Sequence, residues 1–224
     1  MNNNIFEEIC NHLVEDEKPS IYFNSIKDKL IGTPLEVLAQ LEEVEQSKEY
    51  HPEGNVWNHV MLVINTAAKV KKYSTDSLTF MLGALFHDIG KKATTRKNKK
   101  GRWISYDHDK VGAKLTYEIL TYYGIGKEKA IYISNLVRYH MHHLYILKNL
   151  PFANTNHMLS DVQLIDIILL FLSDKMGRGK NNQINPDVIE EVYSILDILS
   201  NRYNANINEI KEVLSNCKKD IIKK

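Results

Sequence analysis

The segment VQLIDIILLFL, residues 162–172, constrains this chain more than any other stretch. It is apolar nearly all round at helical pitch, so as a helix it must be covered on every side. It is far too short to span a bilayer, which takes about 20 apolar residues. It therefore belongs at the centre of a globular core. Helical periodicity elsewhere supplies the cover, and no sustained strict alternation or internal repeat competes with it. The five prolines and ten glycines sit mostly between periodic segments.

The spacing predicts helices near 2–15, 20–30 and 34–47. Asn55 is a good N-cap for a stronger one, whose stripe is Val56, Val60, Val63, Ile64 and Ala67. The next carries Leu78, Met81, Leu82, Leu85 and Ile89 and ends near Gly90. Residues 93–107 read as a loop with a small extended piece in RWISY. Helices then fit 109–123, 127–141, 160–176, 187–201 and 206–222. The expected fold is all-α. Residues 1–50 form N-terminal helices on the core, 51–180 the main bundle and 181–224 a C-terminal helical extension. Breaks near 50 or 182 carry no true linker.

Composition excludes some classes of function. With 43% apolar and 25% charged residues in 224, the chain reads as an ordinary globular protein. Lys plus Arg is 29 against 28 Asp plus Glu, and a net charge of +1 gives no global pull toward nucleic acid or membrane. Cys10 and Cys217 form neither a metal pair nor a disulfide framework, which fits a reducing compartment. MNNNIFEEIC lacks the basic start and long apolar run of a signal peptide. A cytoplasmic protein with no membrane partner is expected.

Against this background, FMLGALFHDIGKKATT at 80–95 places a histidine and an aspartate where a buried helix ends. They are not alone. His59 lies inside the stripe that follows Asn55. Asp88 continues Met81 and Leu85, His140 continues Ile133, Leu136 and Val137, and Asp174 continues Leu170 and Phe171. His108 opens the helix after the loop. One histidine on an apolar face is usually a hydrogen-bonded core residue, and one aspartate at a helix end is usually a cap. Together these groups cannot be buried cheaply, because unpaired buried charges cost several kcal/mol each. One or two divalent cations would satisfy them at once. Imidazole and carboxylate donors without thiolates suit Mn, Fe, Ni, Co, Zn or Mg rather than a structural zinc cage.

His59, His87-Asp88 and Asp174 together resemble the HD superfamily of metal-dependent phosphohydrolases. HPEGNVWNH at 51–59, HDIGKKATT at 87–95, GRWISYDHDKVGA at 101–113, LVRYHM at 136–141 and DKMGR at 174–178 resemble the HD domain of bacterial CCA-adding enzymes, the tRNA nucleotidyltransferases. KPSIYF at 18–23 is similar to the segment that precedes that domain. The resemblance covers roughly residues 18–180, and the last 44 residues carry none. The polymerase signature of that family, a Gly-rich strand-turn ahead of paired aspartates, is not in this sequence. Asp107-His108-Asp109 spells DxD but follows a basic loop and opens a helix, so nucleotide addition is not expected. The chain reads as the HD module standing alone.

The resemblance implies a helical bundle in which His59, His87, Asp88 and Asp174 hold a first metal. It makes His108 and His140 further ligands of a second metal, with Asp88 between them. His108 and His140 could instead bind substrate phosphate, and His142 and His143 are near enough to be alternative ligands. Asp88 and Lys91 are the catalytic candidates. Lys91 either orients Asp88 or binds a phosphate oxygen, unless it is a solvated lysine. Arg178, between Gly177 and Gly179, is a candidate for substrate phosphate. Arg138 should point elsewhere. Asp166 should pair locally, and His12, His51 and His157 read as structural or surface residues. TTRKNKKGR at 94–102 is the densest positive patch, either an RNA contact or a solvated loop.

The implied activity is phosphatase or 2′,3′-cyclic phosphodiesterase chemistry on nucleotide or RNA-end phosphates. Two alternatives remain. One is dinucleoside tetraphosphate hydrolysis by the same site, and the other is a non-catalytic nucleotide- or RNA-binding module.

Overall fold

In the computed structural model, which describes residues 3–179 and 185–222, the apolar segment is the innermost helix. Ile167 to Leu172 are all at most 1% exposed. The helices in chain order are α1 (Asn3–Glu15), α2 (Ser20–Ile26), α3 (Glu36–Ala39), α4 (Val56–Val70), α5 (Ser77–Phe86), α6 (Lys91–Thr94) and α7 (His108–Tyr122). There follow α8 (Lys127–Tyr139), α9 (His142–Leu147), α10 (Thr155–Asp161), α11 (Leu164–Met176), α12 (Pro186–Tyr203) and α13 (Asn208–Ile222). Helices α4, α5, α8 and α12 pack around α11. A single cluster of buried apolar side chains runs from Phe6 to Ile221. Among the described residues the one sheet is a short hairpin, β1 (Arg96–Lys97) with β2 (Trp103–Ile104). No single described helix is long and apolar enough to cross a membrane.

The caps are those the sequence signals. Asn55 accepts the backbone N–H of Asn58 at 2.9 Å at the start of α4. Asp76 accepts that of Thr79 at 2.8 Å at the start of α5.

The elements differ from expectation in five places, one of them α9 (His142–Leu147), which lies beyond the helix expected over 127–141. Residues 34–47 are not one α-helix. After the short α3 the chain tightens into a 3₁₀ turn over Gln40–Glu43. The buried residues there, Leu35, Leu38, Leu41 and Val44, recur every third position. That period matches three residues per turn rather than 3.6. The 20–30 helix likewise tightens to 3₁₀ over Lys27–Leu30. The 160–176 helix is broken at Val162, which is extended, and α10 and α11 meet at 113°. The loop at 93–107 contains the end of α6 and the hairpin.

Asp166 does not pair locally. Fully buried on α11, it accepts the Thr75 backbone N–H at 2.8 Å, the Thr75 hydroxyl, and the Tyr132 hydroxyl at 2.6 Å. It thereby ties α11 to α8 and to the turn before α5. Gly177 is also not simply a flexible point. A Cβ there would lie 2.5 Å from the Val63 side chain and 3.0 Å from its backbone nitrogen, so the glycine lets the end of α11 close on α4.

Asp166→Ala leaves three donors without their acceptor. It should lower stability by about 2–3 kcal/mol in urea denaturation, with the helical circular-dichroism spectrum of the folded state retained.

Candidate metal centre

Five helix ends converge on Asp88. His59 projects from the first turn of α4. His87 and Asp88 follow the last residue of α5, where the helix ends in turns rather than continuing. His108 opens α7, His140 follows α8, and Asp174 lies in the last turn of α11. All six are buried, none more than 6% exposed. Gly90 makes the approach of α7 feasible, since a Cβ there would lie 2.0 Å from the His108 carbonyl oxygen and 2.6 Å from the Gly112 nitrogen. Asp107, with a φ of 60°, turns the chain into α7 just before His108.

The Asp88 carboxylate faces two pairs of imidazoles, one with each oxygen. Its Oδ2 lies 3.3 Å from His87 Nε2 and 3.7 Å from His59 Nε2. Its Oδ1 lies 3.4 Å from His108 Nε2 and 3.6 Å from His140 Nε2. Each trio has its donor atoms within 4.8 Å of one another. Asp174 sits outside both trios and joins the first through His59, with Oδ1 3.0 Å from His59 Nε2.

The outer nitrogens fix the inner ones. His87 Nδ1 donates to the Ala84 carbonyl at 2.8 Å, His108 Nδ1 to Ser105 at 2.6 Å and His140 Nδ1 to Val137 at 2.6 Å. A carbonyl only accepts, so each Nδ1 carries the proton and the neutral ring presents an Nε2 lone pair inward. The Nε2 atoms of His108 and His140 then face each other at 3.1 Å, and His87 Nε2 is buried with no hydrogen-bond partner. Converging lone pairs beside a carboxylate are an electrostatic demand for a cation. The donor set therefore fits a divalent metal at either trio, with the outer partners orienting the ligands.

Electrostatics prepare the carboxylates. Burial works to raise the Asp88 carboxyl, but the Lys91 ammonium, 2.8 Å from Oδ2, and the surrounding imidazoles hold it well below the usual range. Burial is likewise outweighed at Asp174, chiefly by Arg178. Both acids are thus ionised, as ligands must be. Burial lowers His140 toward the neutral form. Burial also opposes charge on His59, but Asp174 and Glu53 outweigh it and raise the ring.

Lys91 is 8% exposed and bridges Asp88 and Gln46, whose Oε1 accepts from Nζ at 2.8 Å, so it is not a solvated lysine. Arg178 Nη2 lies 3.1 Å from both Asp174 oxygens, so its guanidinium is engaged by that carboxylate. Arg138 points away and pairs with buried Asp109 on α7. Exposed Asp107 pairs instead with Lys110, so the DxD spelling brings no two carboxylates together. His143 donates to the His140 carbonyl at 2.8 Å, and burial pushes it down to about 3. It is 4.0 Å from Asp174. His142 is buried among Tyr139 and Tyr145, and neither of its nitrogens has a partner. His12 pairs with Asp16 and His157 with Asn154, both away from the centre.

Sequence reasoning overlooked Glu53, whose partners include His51, a half-buried residue read from the sequence as structural or surface. Glu53 Oε1 lies 2.9 Å from His59 Nδ1 and 2.8 Å from His51 Nδ1. Its Oε2 accepts the Gly179 N–H at 3.2 Å, tying the end of α11 to the loop before α4. Burial opposes its charge, but His51 and His59 hold the acid below the usual range. Burial lowers His51 to about 4. Glu53 lies in a loop, where helical periodicity is silent, and the HPEGNVWNH stretch was its only signal.

These features define the chain's class. The HD domain family matches residues 56–202, well over half of the sequence, and the chain belongs to that family, within the metal-dependent phosphohydrolase superfamily. The match runs past residue 180 into α12. Curated relatives are multifunctional CCA proteins. That of Cupriavidus metallidurans is 35% identical over 114 residues, 50% of this chain and 25% of that protein. That of Psychromonas ingrahamii is 30% identical over 116 residues, with the same shares. That of Burkholderia cenocepacia is 37% identical over 93 residues, 40% of this chain and 21% of that protein. The similarity thus spans about a quarter of these relatives.

Glu53→Gln keeps the shape but weakens the partner of His59 Nδ1. Metal affinity measured by competitive chelator titration should fall about 10–100-fold, with the fold unchanged by circular dichroism.

Proposed function

We propose that this protein hydrolyses phosphate esters at a centre where Asp88 is shared by two divalent metals, acting as a phosphatase or 2′,3′-cyclic phosphodiesterase on nucleotide or RNA-end phosphates. The observation that carries the reading is the Asp88 carboxylate, with each oxygen turned to a different pair of inward Nε2 atoms. Divalent metals bound there supply a water acidified toward neutral pH and neutralise phosphoryl oxygens. The rest is the work of the chain. His59, His87, Asp88 and Asp174 hold the first cation, and Asp88, His108 and His140 the second. Lys91 keeps Asp88 ionised and oriented from the Gln46 side, and is the nearest ammonium to meet a phosphate oxygen. Arg178 does the same for Asp174 and is a second group for substrate phosphate. Glu53 holds the His59 ring.

The nature of the phosphate rests on the relatives. Resemblance to the HD domain of CCA-adding enzymes favours a nucleotide or RNA end. The basic hairpin at 94–102 is the natural place for RNA contact. Mn, Ni, Co, Fe, Mg and Zn are all chemically compatible with the donors.

The test is turnover of 2′,3′-cyclic AMP by protein reconstituted with Mn, Ni or Co. Asp88→Ala should reduce turnover to background, and His108→Ala should lower it while leaving one equivalent of metal bound by elemental analysis. Cleavage of diadenosine tetraphosphate but not the cyclic nucleotide would reassign the substrate. No turnover of either, with no metal retained, would overturn the reading.

A further inference from the structure

A cleft of about 550 Å³ lies between the loop at residues 45–50 and the β-hairpin, and none of the six residues of the centre lines it directly. Such a volume is in the range that holds a small organic ligand. Its lining includes Gln46, Tyr50, Arg102 and Trp103. Gln46 is the physical link to the centre, because the residue that lines the cleft also accepts from Lys91, which in turn contacts Asp88. A ligand in the cleft would thus lie one side chain away from the buried lysine.

The lining chemistry selects among ligands. Trp103 is half-buried on β2, and Tyr50 is 62% exposed on the facing loop. The Lys97 ammonium sits 4.8 Å from the centre of the Trp103 ring, which braces the indole. Two aromatic side chains in one lining suit a flat heterocycle, and stacking of a base on an aromatic side chain contributes about 1–3 kcal/mol. The rim charges are mixed: Glu45 and Glu49 offset Lys48 and Arg102. The lining itself thus gives a polyphosphate chain no local pull, and further positive charge of the hairpin lies outside it, at exposed Arg96, Lys99 and Lys100. The lining suits the uncharged part of a nucleotide, with its phosphate directed to the cations of the metal centre.

From this we infer that the cleft between residues 45–50 and the β-hairpin is a nucleoside subsite, in which Trp103 and Tyr50 hold the base of a mononucleotide whose phosphate reaches the Asp88 centre. The inference rests on the phosphohydrolase reading for the position of the phosphate, but the cleft itself can be tested without turnover. The substrate class narrows accordingly, to mononucleotides and cyclic mononucleotides rather than internal RNA phosphates.

Two measurements test it on the full chain. The first is adenosine titration monitored by selectively excited Trp fluorescence in a Trp57→Phe background, so that Trp103 is the only tryptophan. Saturable quenching that Tyr50→Ala weakens at least fivefold is expected. Absence of quenching overturns the subsite whatever the enzyme does. The second compares 2′,3′-cyclic AMP with bis(p-nitrophenyl) phosphate, which has no nucleoside, on Mn-loaded protein. Trp103→Ala should raise KM for the cyclic nucleotide about tenfold and change kcat/KM for the nitrophenyl ester less than twofold, with Trp103→Phe recovering most of the loss. Equal losses on both substrates, or none on the nucleotide, overturn it. Adenosine quenching without turnover of either ester would leave the subsite standing and remove the phosphohydrolase reading instead.

Discussion

A single carboxylate presented to four imidazoles is the constraint around which the rest of the structure is arranged. Asp88 can take that place only because α5 stops at Phe86 and lets two consecutive side chains turn the same way. The turn is then closed on from outside. Gly90 admits the backbone of His108, and Gly177 admits Val63. Small residues at these contacts bring α7 to the turn between α5 and α6 and α11 to α4, and so bring His108 and Asp174 into range of the centre.

Burying so much polarity is costly, and the chain offsets the cost with partners arranged in layers. Three of the four imidazoles around Asp88 use an outer nitrogen on a backbone carbonyl, and the fourth faces Glu53. Lys91 and Arg178 lie against the two carboxylates of the centre. A purely structural network would pair its inner atoms too. Here His108 and His140 direct lone pairs at each other, and His87 directs one at nothing. For His87, His108 and His140 the outer nitrogens are satisfied and the inner ones are not, which is the signature of a site built for an incoming cation, while His59 already meets Asp174 with its inner nitrogen.

Much of this was legible in the sequence, for a definite reason. Residues on helices declare their inward face by spacing, so His59, Asp88, His140 and Asp174 could be placed on buried faces from their neighbours alone. The all-round apolar run at 162–172 declared the innermost helix. What escaped lay where spacing says nothing. Glu53 sits in a loop, and Gln46 follows a 3₁₀ turn whose three-residue period reads as an ordinary helix until it is counted. The partners of Asp166 come from Thr75 and Tyr132, far apart in the chain, so no local reading could supply them. The role of Gly177 is set by Val63 across an interface, which is likewise a fact of packing rather than of sequence.

The shared carboxylate can be examined most directly by anomalous X-ray diffraction from crystals of the Mn-loaded protein, with data on either side of the manganese edge. Two anomalous peaks about 3.5–4 Å apart are expected, one on the His59 and His87 side of Asp88 and one on the His108 and His140 side. A lone peak between His51, Glu53 and His59, or none near Asp88, would contradict a centre organised on that carboxylate.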